Sequence, residues 1–148
     1  DPDYLSLVAE RVMAAFNRLG VGAQGNQLLR AWQQQHSSLD LLEQVFRWVL
    51  EHEGPRPAYL LVRDELRRNP TLLGLEKLLE AADYNAPPEQ RADIELIKQL
   101  IHRHTRRVAR YRCRDCGFQA RQFQWRCPAC GGWGTYPPRR NEEFDLEH

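Results

Sequence analysis

Slide the chain against itself by 33 residues and like falls on like. Leu28 meets Leu61 and then Ile94, and Arg30 meets Arg63. Further on, Leu39 meets Leu72, Leu42 meets Leu75, Glu43 meets Glu76, Val45 meets Leu78 and Phe46 meets Leu79. A self-similarity of this period constrains the fold more than any composition figure does. A unit so short cannot bury its apolar face alone, so successive units must stack to make one continuous core.

The stretches that carry these matches have helical periodicity. Leu5, Val8, Val12, Ala15, Phe16 and Leu19 fall at three- and four-residue steps, one face of a helix over 4–20 that Gly20 and Gly22 are expected to end. A second helix is predicted over 26–36, with Leu28, Leu29 and Trp32 apolar. A third follows a serine cap at Ser37-Ser38, with Leu39, Leu42, Val45, Phe46 and Val49 inward and Gly54-Pro55 as its stop. A fourth runs over 57–69. The fifth is expected to take Asn69 as its cap, with Pro70 where a missing N–H costs nothing. The sixth and longest, over 86–108, puts Ile94, Ile97, Ile101 and Val108 along one side.

Helical hairpins repeating about every 34 residues are the signature of tetratricopeptide repeats. An irregular helical bundle is the other arrangement that such leucine phases allow. Stacked hairpins offer a surface to proteins and supply no chemistry of their own. Trp32, Trp48 and Tyr59 either line that surface or fill the core. His36 and His52 lie near helix ends, with no nucleophile and carboxylate patterned around them. No catalytic residue is predicted, and the chain reads as non-enzymatic.

Charge divides the chain. Residues 1–97 hold ten basic and fifteen acidic side chains, whereas residues 98–126 hold nine basic ones and only Asp115 on the acidic side. The two parts attract different partners. With 42% hydrophobic and 28% charged residues the chain reads as globular. It has no apolar run of the roughly 18 residues that crosses a bilayer, and no signal-peptide pattern. It opens Asp1-Pro2 and closes on Leu146-Glu147-His148, which resembles the stub of a tag. A piece of a longer protein is therefore expected, and such a piece is compatible with a membrane anchor ahead of residue 1. Three parts are expected: helical repeats over 1–109, a metal ribbon over 110–138 and a tail over 139–148.

All four cysteines lie in that ribbon, as Cys113-x-x-Cys116 and Cys127-x-x-Cys130, ten residues apart. Two close pairs bring four soft ligands to one tetrahedral ion with little loop-closure cost. Gly117 and Gly131 follow the second cysteine of each pair. There a left-handed backbone lets amide N–H groups turn toward the thiolates, so both glycines are candidates to support the metal. Two disulfides, or a thioredoxin-like dithiol, are the competing readings. A helical chain without a βαβ unit favours neither. Four cysteines with no spare ligand make a closed site without a catalytic water. Zinc and iron both accept this set. So short a segment builds little core, so the metal and the aromatics Tyr111, Phe118, Phe123, Trp125 and Trp133 are expected to stabilise it, around a small three-stranded sheet.

The segments "YRCRDCGF" and "WRCPACGGWGT" resemble the rubredoxin-type ribbon, although rubredoxins themselves separate their pairs much further. A minimal ribbon behind tetratricopeptide-like helices resembles the C-terminal part of the lipopolysaccharide assembly protein B (LapB/YciM) family. The resemblance implies a mainly α fold, a tetratricopeptide-like α-α superhelix followed by a small rubredoxin-like metal-binding β ribbon packed back on the repeats. It implies one metal ion, zinc or iron, on Cys113, Cys116, Cys127 and Cys130. It further implies a cytoplasmic adaptor at the face of the bacterial inner membrane, promoting degradation of the deacetylase LpxC by the protease FtsH and so regulating lipopolysaccharide synthesis.

Arg112, Arg114, Arg121, Trp125 and Trp133 are candidate partner-binding residues. Two other functions compete with the adaptor. One is nucleic-acid binding, since arginines interleaved with aromatics bind phosphates and stack bases. The other is rubredoxin-like electron transfer, which requires iron.

Overall fold

In the computed structural model, which describes residues 4–108 and 110–138 (the side chains of 106–108 excepted), the period of 33 becomes physical. Helices α1 (Leu5–Arg18), α2 (Gly22–Gln35), α3 (Leu39–His52), α4 (Pro55–Arg68) and α5 (Leu72–Asn85) each have 14 residues. α2 and α4 start 33 residues apart, as do α3 and α5. A longer α6 (Pro88–Val108) follows, with 21 residues. Each helix packs on the next, and α3 also touches α1 and α5 across the repeat, as stacked hairpins require. One apolar cluster runs through this stack, with Leu29, Val49, Ala58, Val62 and Ala81 fully buried. Alanine at two of these five places lets helix axes approach closely.

Several sequence expectations shift by a residue or a face. In α1 the buried positions are Ser6, Ala9 and Met13, while Val8 and Leu19 are exposed. The small side chains turn inward because α3 passes close to that face. Gly20, at φ +73°, ends α1, but Gly22 begins α2 instead of ending α1. Leu41, which was not expected inward, is buried in α3, and Leu39 is only half-buried. Ser38 precedes α3 without making a side-chain cap bond; its N–H donates to Gln33 Oε1 at 3.1 Å. Asn69 ends α4 rather than capping α5. The cap of α5 is Thr71, whose Oγ1 accepts from the Gly74 N–H at 3.0 Å. Thr71 has the extended backbone that a cap needs, φ −137° and ψ 150°. On α6, Ile94 and Ile101 are half-buried but Ile97 is exposed; the Val108 side chain lies outside the described residues. Trp32, Trp48 and Tyr59 pack against the core, and the His52 ring stacks on Trp48 at 4.3 Å.

Ion pairs tie the repeats together. Glu43 of α3 pairs with Lys77 of α5, and Lys77 lies 5.4 Å over the Phe46 ring. Lys77 favours the Glu43 carboxylate strongly enough to hold its pKa below the ordinary value, although burial opposes the charge. The Lys77 ammonium is correspondingly held above its ordinary range against the same burial cost. At the far end, Glu76 of α5 accepts from His102 Nδ1 (2.7 Å) and from the Thr105 hydroxyl (3.2 Å), which fastens α6.

After α6 the chain turns into strands β1 (Tyr111–Arg112) and β2 (Gln119–Ala120), antiparallel with Tyr111 opposite Ala120. Among the described residues this is a two-stranded sheet plus a single bridge, Arg126 opposite Trp133, and not the expected three strands. Residues 121–125 run between the two metal-binding turns as bends and irregular backbone instead of a paired strand. The tail over 139–148, with its tag-like end, lies outside the described residues.

Candidate metal centre

Each CxxC pair closes a turn of the same design. Gly117 N–H donates to the Cys113 carbonyl (3.0 Å), and Gly131 N–H to the Cys127 carbonyl (2.9 Å). Cys113 N–H then donates to the Phe118 carbonyl (2.9 Å), and Cys127 N–H to the Gly132 carbonyl (2.8 Å). Closing such a turn needs a left-handed residue after the second cysteine, and both glycines have it, with φ of +76° and +75°. A side chain there would be strained.

The two turns face each other. The Cys113 and Cys130 sulfurs are 3.8 Å apart, those of Cys116 and Cys127 3.6 Å, and all four lie within 4.8 Å. A zinc ion with bonds of about 2.3 Å would hold four tetrahedral sulfurs roughly 3.8 Å apart, so this set fits one ion. Cys113 and Cys127 are buried, while Cys116 and Cys130 reach the surface. The sulfurs meet a ring of backbone donors: the amides of Asp115 and Cys116 toward Cys113, Ala129 and Cys130 toward Cys127, Phe118 toward Cys116, and Gly132 toward Cys130.

Four thiolates this close repel one another unless a cation sits among them. Burial opposes charge on Cys113 and Cys127, yet the Thr135 side chain helps pull Cys113 below the ordinary thiol value. Amides of Cys130 and Ala129, with the Tyr136 hydroxyl, bring Cys127 down to about 6. Across the site the Phe118 amide favours the Cys116 thiolate, but burial and the three neighbouring sulfurs outweigh it and push the thiol up to about 12. The Gly132 amide and the Cys116 sulfur favour the Cys130 thiolate, but burial with the Cys127 and Cys113 sulfurs raises this thiol as well. A divalent ion removes this repulsion. It would contribute folding free energy, and with four protein ligands it would leave no open position for substrate.

Two residues around the sulfurs carried no metal-binding pattern. Thr135 Oγ1 lies 3.1 Å from the Cys113 sulfur, and the fully buried Tyr136 hydroxyl 3.8 Å from that of Cys127. A lone Thr-Tyr after the second turn has no spacing to mark it. Of the five aromatics expected to pack, Tyr111 is buried and Phe123 half-buried, but Phe118, Trp125 and Trp133 are exposed. The arginines divide. Arg112 lies over Gly117 and Arg126 over Gly131, where its Nε donates to the Gly131 carbonyl at 3.3 Å. Arg114 and Arg121 are exposed.

The ribbon is seated on the N-terminal ends of α1 and α3. Tyr111 hydroxyl donates to Asp40 Oδ2 at 3.0 Å, and Ser6 hydroxyl to the Pro138 carbonyl at 3.3 Å. Tyr4 stacks on Trp125 (5.4 Å between centroids, 13° between planes) and meets Phe123 edge-on at 6.3 Å. Phe123 in turn lies edge-on to Tyr111 and Trp125. Tyr4, Ser6 and Asp40 are distant in sequence from the cysteines and look like ordinary helix-start residues there. Only the tertiary fold brings them to the ribbon.

Comparison with known proteins agrees with these features. Residues 111–138 match the family model of the rubredoxin metal binding domain, LapB zinc-ribbon type. Lipopolysaccharide assembly protein B of Escherichia coli K12 is 27% identical over 144 residues, which is 95% of this chain and 36% of that protein. The Haemophilus influenzae protein of the same name is 23% identical over 66% of the chain and 25% of its own length. A hydrogenase maturation factor HypA from Caldanaerobacter subterraneus is 39% identical over 36% of the chain and 43% of its own length. The chain thus spans about a third of the length of the lipopolysaccharide assembly relatives it is similar to. Among the described residues no helix is long and apolar enough to cross a membrane.

Proposed function

We propose that this chain is part of a non-enzymatic adaptor in which the four-cysteine ribbon, residues 110–138, is a metal-dependent clasp on the repeats of residues 1–109. The observation that carries this reading is the docking of the ribbon on α1 and α3 through Tyr111–Asp40, Ser6–Pro138 and the Tyr4–Trp125 stack. Cys113, Cys116, Cys127 and Cys130 hold one ion, with Gly117 and Gly131 shaping the turns around it. Similarity to lipopolysaccharide assembly protein B along 95% of the chain supports a role in lipopolysaccharide assembly. In that role the parent protein works at the cytoplasmic face of the bacterial inner membrane and brings the FtsH protease to LpxC. Arg112, Arg114, Arg121 and Trp133 face the partner, together with the part of Trp125 that its stack on Tyr4 leaves exposed; Trp133, at 73%, is the more exposed of the two tryptophans.

The test is a pull-down from a Gram-negative lysate comparing wild type with Cys113→Ser/Cys130→Ser. The reading expects the metal-free variant to lose its partners while the helices keep their circular dichroism. Full partner capture by a metal-free protein would end the clasp idea. A second reading, electron transfer, is favoured by one observation, the exposure of Cys116 and Cys130 beside the ion. Reversible visible absorption on reduction would support it, and a colourless zinc-loaded protein would exclude it.

A further inference from the structure

Helix α6 closes the helical array, and its outer side is not the polar surface that keeps a terminal repeat in water. α5 covers the side that carries Ile94, Ile101 and Thr105, the last bonded to Glu76. Leu96, Ile97 and Leu100, on the adjoining side, are 56%, 45% and 48% exposed.

Residues 89, 93, 96, 100, 103 and 107 alternate by four and three, the spacing of a heptad seam. In chain order that seam holds Glu89, Asp93, Leu96, Leu100, Arg103 and Arg107: two acids, two leucines, two arginines. Glu89, Asp93 and Arg103 are exposed, and none of the ion pairs among the described residues engages them.

Such an order is complementary to its own reverse. Set antiparallel to a second copy, Leu96 meets Leu100, Asp93 meets Arg103 and Glu89 meets Arg107, each contact occurring twice by two-fold symmetry. A parallel pair would set acid on acid and arginine on arginine. We propose that α6 is a self-association seam, covered by the α6 of a second copy of this chain running antiparallel. The seam spans about 27 Å of helix, so the pair is weak. Asp93 and Arg103, on either side of the leucines, are exposed charges, so salt weakens it further.

Sedimentation equilibrium of the full, metal-loaded chain tests this. The mass should rise from monomer toward dimer between about 5 and 500 μM, the range of a micromolar Kd, and the rise should shrink in high salt. Leu96→Glu and Leu100→Glu should each leave a monomer with unchanged helicity and metal content. Asp93→Arg should weaken pairing at least tenfold, and Asp93→Arg combined with Arg103→Asp should restore it. A wild type that stays monomeric throughout, a Leu96→Glu protein that still pairs, or a charge swap without rescue would each overturn the proposal. So would a chain ending at residue 138 that pairs where the full chain does not, because the tail would then be the occupant.

Discussion

Replacing Tyr111 by Phe removes one oxygen and leaves the ring in its edge-on contact with Phe123 at 6.0 Å. The lost interaction is the 3.0 Å bond to Asp40 Oδ2, a polar link between β1 and α3. A hydrogen bond to a charged group contributes about 1.5–3 kcal/mol. Asp40 is only half-buried, so water recovers part of its solvation, and the low end, about 1.5 kcal/mol, is expected. The ribbon folds around its ion and docks as one unit, so docking free energy adds to metal retention by linkage. At about 1.4 kcal/mol per decade, Tyr111→Phe should weaken metal binding roughly tenfold. Ser6→Ala removes the longer, neutral bond to the Pro138 carbonyl, and should weaken it by about two- to fivefold. The assay is competition against a chromophoric chelator, with hydrogen exchange at Cys113 and Arg114 amides as an independent probe of the ribbon. If Tyr111→Phe held its metal as tightly as wild type and exchanged no faster, the ribbon would be self-sufficient. Docking would then have no part in metal retention.

Two further outcomes follow from the helices. Thr71→Ala should destabilise the protein by about 1 kcal/mol because the Gly74 N–H loses its cap, whereas Asn69→Ala should leave the start of α5 unchanged; urea unfolding followed at 222 nm separates the two. Glu43→Gln should cost about 1–2 kcal/mol at neutral pH, between an exposed and a buried pair, since both partners are 26% exposed. The folded Glu43 pKa lies below its ordinary 4.5, so the unfolded chain takes up the proton first. The stability it contributes is therefore complete above that value and disappears as pH falls through the folded pKa. Unfolding curves of wild type and Glu43→Gln should converge in acid, and a gap that persisted well below pH 3 would show that the Lys77 pair is not its source.

Which parts of this molecule were legible in the sequence follows from how local each signal is. The period of 33 needs only leucines at matching phases, and it placed α2 on α4 and α3 on α5 within a residue or two. The metal turns are more local still. Two cysteines and a glycine within five residues determine their own hydrogen bonds, whatever surrounds them. Helix faces are another matter. Periodicity finds an apolar stripe but cannot say which side a neighbour covers, so Ser6 and Ala9 went inward and Val8 outward in α1. On α6, where α5 covers one side and no helix follows among the described residues, the sequence shows apolar residues on two adjoining sides and the fold uses one.

By itself, then, the sequence determined the ligand set and the repeat, because covalent spacing and chain stiffness confine both to a few residues. Only the tertiary structure decided where the ribbon rests. Tyr4, Ser6 and Asp40 reach it across 71 to 132 residues of chain, and no local preference encodes such contacts. They exist because the stacked helices return the end of α6 to the starts of α1 and α3.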